Sequence, residues 1–127
     1  MGAFITVTTN NNLDKFLAFL KSSRQDRIRK ILDKYAHQGL VALQNATPVD
    51  TSLTAESWYY EIVQREGYAS LRYHNSHVVE GRPIAILIQY GHATRNGGWV
   101  EGRDYIMPAI QPIFDTMAEE LWKEVNR

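Results

Sequence analysis

Two runs of alternating bulky and polar residues, Trp58 to Arg65 and Tyr68 to Asn75, stand on either side of Glu66-Gly67. Alternation at period two places successive side chains on opposite faces, and a glycine-bearing dipeptide between two such runs marks a tight turn. The pattern predicts a β-hairpin in the middle of the chain. The rest of the fold must then cover at least one face of it.

Candidates for that cover lie on both sides. Ile28, Ile31, Leu32, Tyr35, Leu40 and Leu43 trace one broad apolar face from Arg24 onward, with Arg27, Lys30 and Lys34 turned elsewhere, and Pro48 ends the run. This is a long amphipathic helix. Ile110, Ile113, Phe114, Met117, Leu121 and Val125 form a second helical stripe at the C-terminus. Pro112 fits that helix only in its first turn, where a missing N–H has no partner to lose. Phe4 to Thr8 reads as a strand, and Leu13 to Lys21 as a short helix capped by the Asn10-Asn11-Asn12 run and broken at Ser22-Ser23. Ile84 to Tyr90 fits both helix and strand; Pro83 before it and Gly91 after it tip the balance to a short helix. Gly91 to Asp104 is rich in turn formers, and Asn96-Gly97 suits a tight hairpin whose two central residues need positive φ, so a mobile loop or arm is expected there. Strands in the middle with helices at both ends imply an α+β fold: an antiparallel sheet covered on one side by the long helix and the C-terminal helix.

With 127 residues, one domain is expected. Basic and acidic residues number 14 each, so net charge announces neither nucleic acid nor a membrane surface as a partner. Cysteine is absent, which excludes disulfides and thiolate metal sites and fits a reducing cytosol. The longest apolar stretch, Ile84 to Ile88, is far below the roughly 20 residues of a membrane-spanning helix, and no signal-peptide order opens the chain. Met1 to Thr6 matches a myristoylation pattern, but Phe4, Ile5 and Val7 are more simply the start of a strand.

The residues for catalysis do not assemble into a recognisable order. There is no Gly-x-Ser-x-Gly elbow, no Ser-x-x-Lys pair and no phosphate-cradling glycine motif around Gly97-Gly98. Glu101 with Asp104, and Asp50 with Glu56, are carboxylate pairs that nothing forces into an apolar pocket. His74 and His77, three apart on an expected strand, face opposite ways, and His37 and His92 stand alone, so neither a metal nor any other cofactor is expected. Arg24, Arg27, Arg29 and Lys30 form a local basic run diluted by Asp26 and Asp33. A small nucleic-acid-binding module using that run with the aromatic hairpin is one alternative for this chain. The aromatic residues matter more: Trp58, Tyr59 and Tyr60 occupy both faces of one strand, with Tyr68 and Tyr73 on its partner, so either helices cover both faces or one face carries large apolar surface for another protein.

Three segments, Ala46 to Trp58, Ala85 to His92 and Arg103 to Ile110, together resemble the tail-completion and head-tail joining proteins of long-tailed bacteriophages. Ala46-Thr47-Pro48-Val49-Asp50-Thr51-Ser52, running on to Ser57-Trp58, is similar to their first motif, with Ser52 where glycine is usual. Ala85 to His92 is similar to the second, with Gln89 where glutamate is usual, and Arg103 to Ile110 to the third, which introduces the last helix. The order and spacing match from about Ile28 to the C-terminus; residues up to about Ser23 lie outside the resemblance. It implies a ring-forming virion protein at the neck, assembled in the host cytoplasm, with tail-tube or connector proteins as partners, DNA only as a passenger through the channel, and no membrane. On that basis Trp58, Tyr60, Tyr68, Tyr73, Gln89, Tyr90, Arg95, Trp99 and Arg103 are candidate assembly contacts, and Arg24, Arg27 and Lys30 candidate channel-facing cations.

Overall fold

The structure, a computed structural model, describes residues 3–9, 25–48, 52–65 and 68–126. The expected helix at Leu13 to Lys21 with its flanking asparagines and serines, Arg24, Asp50-Thr51 of the first similar segment and the Glu66-Gly67 turn lie outside the described residues, as does the side chain of Tyr68.

A three-stranded antiparallel sheet is built from β1 (Ala3–Thr9), β2 (Trp58–Arg65) and β3 (Tyr68–Asn75), with β3 in the middle. The expected hairpin is β2–β3, in register from Trp58↔Asn75 to Arg65↔Tyr68, and β1 closes the other side with Ile5↔Tyr73 and Val7↔Leu71. Alternation decides which side is wet. Trp58, Tyr60 and Ile62 share one face with Asn75, Tyr73, Leu71 and Ala69, and that face meets the core. Tyr59, Glu61, Arg72 and His74 share the other, where the Tyr59 and His74 rings stack 5.0 Å apart and Glu61 lies 3.4 Å from His74 and 3.9 Å from Arg72.

Helix α1 (Gln25–Ala46) lies across the core face, burying Ile28, Leu32, Tyr35, Ala36 and Leu43 at helical spacing. It stops where Pro48 forbids continuation, and Thr47 seals the end by donating both N–H (3.1 Å) and hydroxyl (2.6 Å) to the Leu43 carbonyl. The short helix α2 (Ser52–Glu56) then turns the chain into β2. The Trp58 indole donates to the Thr47 hydroxyl at 3.0 Å, so the two ends of the first motif meet in a buried contact that joins α1 to the sheet.

Near the middle of α1, Gly39 leaves a notch. The Tyr73 hydroxyl sits over it and donates to the Ala36 carbonyl at 2.8 Å, where any Cβ on residue 39 would lie 2.0 Å from that hydroxyl. Burial, with the neighbouring Tyr60, holds the Tyr73 hydroxyl protonated far into alkaline pH. Helix α4 (Ile106–Val125) runs along α1 and buries Ile106, Ile110, Met117 and Leu121, while Phe114 stacks on Tyr73 at 6.2 Å. Its charged side is pinned to α1 by Arg27–Glu124 (3.3 Å), Lys34–Glu120 (3.3 Å) and a hydrogen bond from the Tyr35 hydroxyl to Glu120. That hydroxyl and Lys34 hold the Glu120 carboxyl below the ordinary glutamate range.

The α+β architecture, with both long helices on one side of an antiparallel sheet, is the one expected. One expectation about α4 fails. Pro112 is not in the first turn: the helix already begins at Ile106, and Pro112 sits inside it, removing the bond it would have given to the Pro108 carbonyl. Among the described residues no helix is long and apolar enough to cross a membrane.

Candidate assembly surface

Between the sheet and α4 the chain builds a compact outwork. β4 (Val78–Val79) and β5 (Arg82–Pro83) form a minimal hairpin whose two loop residues, Glu80 (φ 51°) and Gly81 (φ 76°), both have the positive φ of a type I′ turn. Helix α3 (Ile84–Tyr90) follows, as Pro83 and Gly91 foretold, and ends where Gly91 takes φ 80°. β6 (Gly91–Ala93) and β7 (Trp99–Glu101) then make a second hairpin in the segment expected to be a mobile arm. Its turn differs from expectation: only Gly97 takes positive φ, and the loop is closed by Thr94 and Gly98, whose backbones and the Thr94 hydroxyl bond to one another at 2.9 Å.

The root of this hairpin is packed backbone to backbone. A Cβ on Gly91 would come within 2.5 Å of the Val100 carbonyl, and one on Gly102 within 2.6 Å of the Gln89 carbonyl. Gln89 ties the unit to α4. Its Oε1 accepts the otherwise unpartnered N–H groups of Tyr105 (3.0 Å) and Ile106 (2.9 Å) at the helix start, and its Nε2 donates to Asp104 at 2.7 Å. The Tyr105 hydroxyl donates to the Ala85 carbonyl at 2.8 Å, and burial pushes its pKa up to about 12. The second and third motifs are thus two halves of one joint.

On the outward side of that joint lies a groove of about 340 Å³. Val79, Ile84, Leu87, Ile88 and Val100 supply its apolar lining, Ile84, Leu87 and Ile88 being one face of α3. Glu80, Arg82, Glu101 and Arg103 stand exposed around it, with Glu80 held by Arg95 at 3.5 Å. On the same outwork Tyr90 is 69% and Trp99 60% exposed.

The candidate contacts therefore divide. Tyr90, Arg95, Trp99 and Arg103 come together on this exposed outwork. Trp58 (4% exposed), Tyr73 (0%) and Gln89 do not belong to a surface: they are buried in the chain's own core and joint, and Tyr60 is half-buried on the same core face. His77 is likewise not on β3 but beyond it, with Nδ1 2.7 Å from the buried Thr54 hydroxyl. Among the described residues no cluster of His, Asp or Glu could hold a metal.

Two members of the basic run lie against carboxylates of their own chain. Arg27 is pinned to Glu124 and Arg29 lies 3.5 Å from Asp33, while Lys30 is exposed. A base-stacking role loses its main aromatic with Trp58 buried. No protein-family model, curated protein or solved structure matches this chain.

Proposed function

We propose that this chain is a structural virion-assembly protein, a ring-forming tail-completion or head-tail connector component of a phage or prophage. The observation that carries the reading is the outwork: an apolar groove and, on the same small unit, Tyr90 and Trp99, both more than half exposed, on a rigidly braced support. Large apolar area on one patch of a well-packed chain marks a protein contact. The three motifs of the resemblance support it by what they build, since one makes the α1-to-β2 corner and two make the joint beneath the groove. In this role the outwork meets the next copy and the tail-tube or connector neighbours, and DNA passes through the ring without being bound by sequence.

Sedimentation velocity at low and high micromolar protein, with negative-stain imaging of the heavier fraction, tests the proposal. Closed rings or a reversible shift to higher mass are expected. A monomer at every concentration, with and without tail tubes, would end it.

A further inference from the structure

Pro48 joins two features of the surface. It lines the groove, and it also lines a shallow depression of about 280 Å³ walled by Ser52, Ala55 and Glu56 of α2, so α2 and the groove are neighbours on the molecule. On α2, Thr54 is wholly buried while Leu53 beside it is 59% exposed, an aliphatic side chain that the chain itself leaves uncovered. Leu53 and Glu56 are three residues apart and therefore adjacent on the helix surface. The groove offers the counterpart. Ile84, Leu87 and Val100 are apolar, and Arg103 beside them has its backbone fixed by an N–H bond to the Ile88 carbonyl at 2.8 Å. Glu56 and Arg103 are both exposed, and neither side chain has an ion-pair partner among the described residues.

We propose that in the free protein the groove is covered by α2 of a second copy. Leu53 of each copy seats on Ile84, Leu87 and Val100 of the other, and Glu56 of each meets Arg103 of the other. A projecting side chain next to a receptor groove is an arrangement that a two-fold axis uses twice, each copy giving and receiving the same contact. The axis passes near Pro48 of both copies. Apolar area and opposite charge are thus matched on one self-complementary patch. A stable interface buries about 800 Å² per partner; two short helices on two grooves of this size supply less, so the pair is weak and reversible. The inference goes beyond the ring reading, because a two-fold contact closes at two copies and cannot itself make a ring. Tyr90 and Trp99 do not line the groove and remain outside the pair.

Sedimentation equilibrium of the whole chain, with circular dichroism to confirm folding, tests the pair. Wild-type protein is expected to show a reversible monomer–dimer equilibrium that Leu53→Asp weakens at least tenfold, as does Glu56→Arg or Arg103→Glu alone. The double variant Glu56→Arg/Arg103→Glu regains wild-type self-association, because in a two-fold contact each copy carries both ends of the exchanged pair. Trp99→Ala leaves the dimer unchanged. Self-association that survives Leu53→Asp and both charge variants, or a double variant no better than either single one, overturns the pair. Rings that form with the same insensitivity overturn the pair and leave the assembly reading standing. A dimer that responds as expected but never closes into rings supports the pair and counts against the assembly reading. A wild-type chain that is monomeric at every concentration overturns both.

Discussion

Trp58 and Trp99 each open a strand, and their surroundings could hardly differ more. Trp58 is enclosed by α1 and the sheet, its N–H satisfied by Thr47, so its ring holds a corner of the fold together. Trp99 opens a three-residue strand on a hairpin whose ladder and glycine root are largely backbone; one edge of its indole lies over Gly91, and the ring remains largely exposed. An aromatic residue that the fold requires is buried with its polar atom partnered; one that the fold does not require, and that stays exposed on a rigid support, is available to a neighbour.

Truncating both rings is the sharpest way to break the comparison. Trp58→Ala is expected to cost about 3–5 kcal/mol in urea unfolding, the cost of a large cavity, while Trp99→Ala costs under about 0.5 kcal/mol. Similar values for the two would mean that the outwork is part of the core.

Alkaline titration probes the joint between the regions. Tyr105 has its pKa raised from the ordinary 10 to about 12. Its neutral form is favoured by folding, so the contribution is intact below pH 10 and is lost as pH climbs toward 12, by up to roughly 2–3 kcal/mol. Tyr105→Phe should flatten that part of the stability profile, measured by chemical unfolding at stepped pH. An unchanged slope would place the alkaline sensitivity elsewhere.

A smaller effect than the loss of Trp58 or Tyr105 is expected at the notch. Gly39→Ala improves helix propensity by about 1 kcal/mol but drives a methyl group into the Tyr73 hydroxyl, an overpacking cost of about 1–3 kcal/mol. A net loss near 1 kcal/mol is expected from thermal unfolding, and a net gain would show that the Tyr73 ring yields.

Periodicity made most of the elements readable. The α1 and α4 stripes, the β2–β3 alternation and the Pro83-to-Gly91 frame of α3 each depend on neighbours in the chain, and each is found. What alternation could not tell is which face the helices cover. That is how Trp58 and Tyr73 came to be expected at an interface while their face was the core. Gln89 misled for a similar reason: beside a glutamate pattern it reads as a lost charge, yet its amide does what a carboxylate could not, accepting two N–H groups while donating to Asp104. Gly39 offered only a propensity penalty, since its use depends on a hydroxyl from a distant strand. The groove had no signal of its own, because it is assembled from two hairpins and a helix whose closeness is tertiary.

The fit of Tyr73 over Gly39 has a consequence for α1 as a whole. A helix packed on a sheet by aliphatic side chains alone can rotate or slide by small amounts at modest cost, but here a single vacancy must stay beneath a single hydroxyl. Shifting α1 by one residue turns it by about 100° and advances it about 1.5 Å, which presents a side chain where none fits. The helix therefore has one permitted phase. An insertion or deletion between Ile28 and Gly39 would have to choose between keeping the apolar stripe on the sheet and keeping the keyhole under Tyr73.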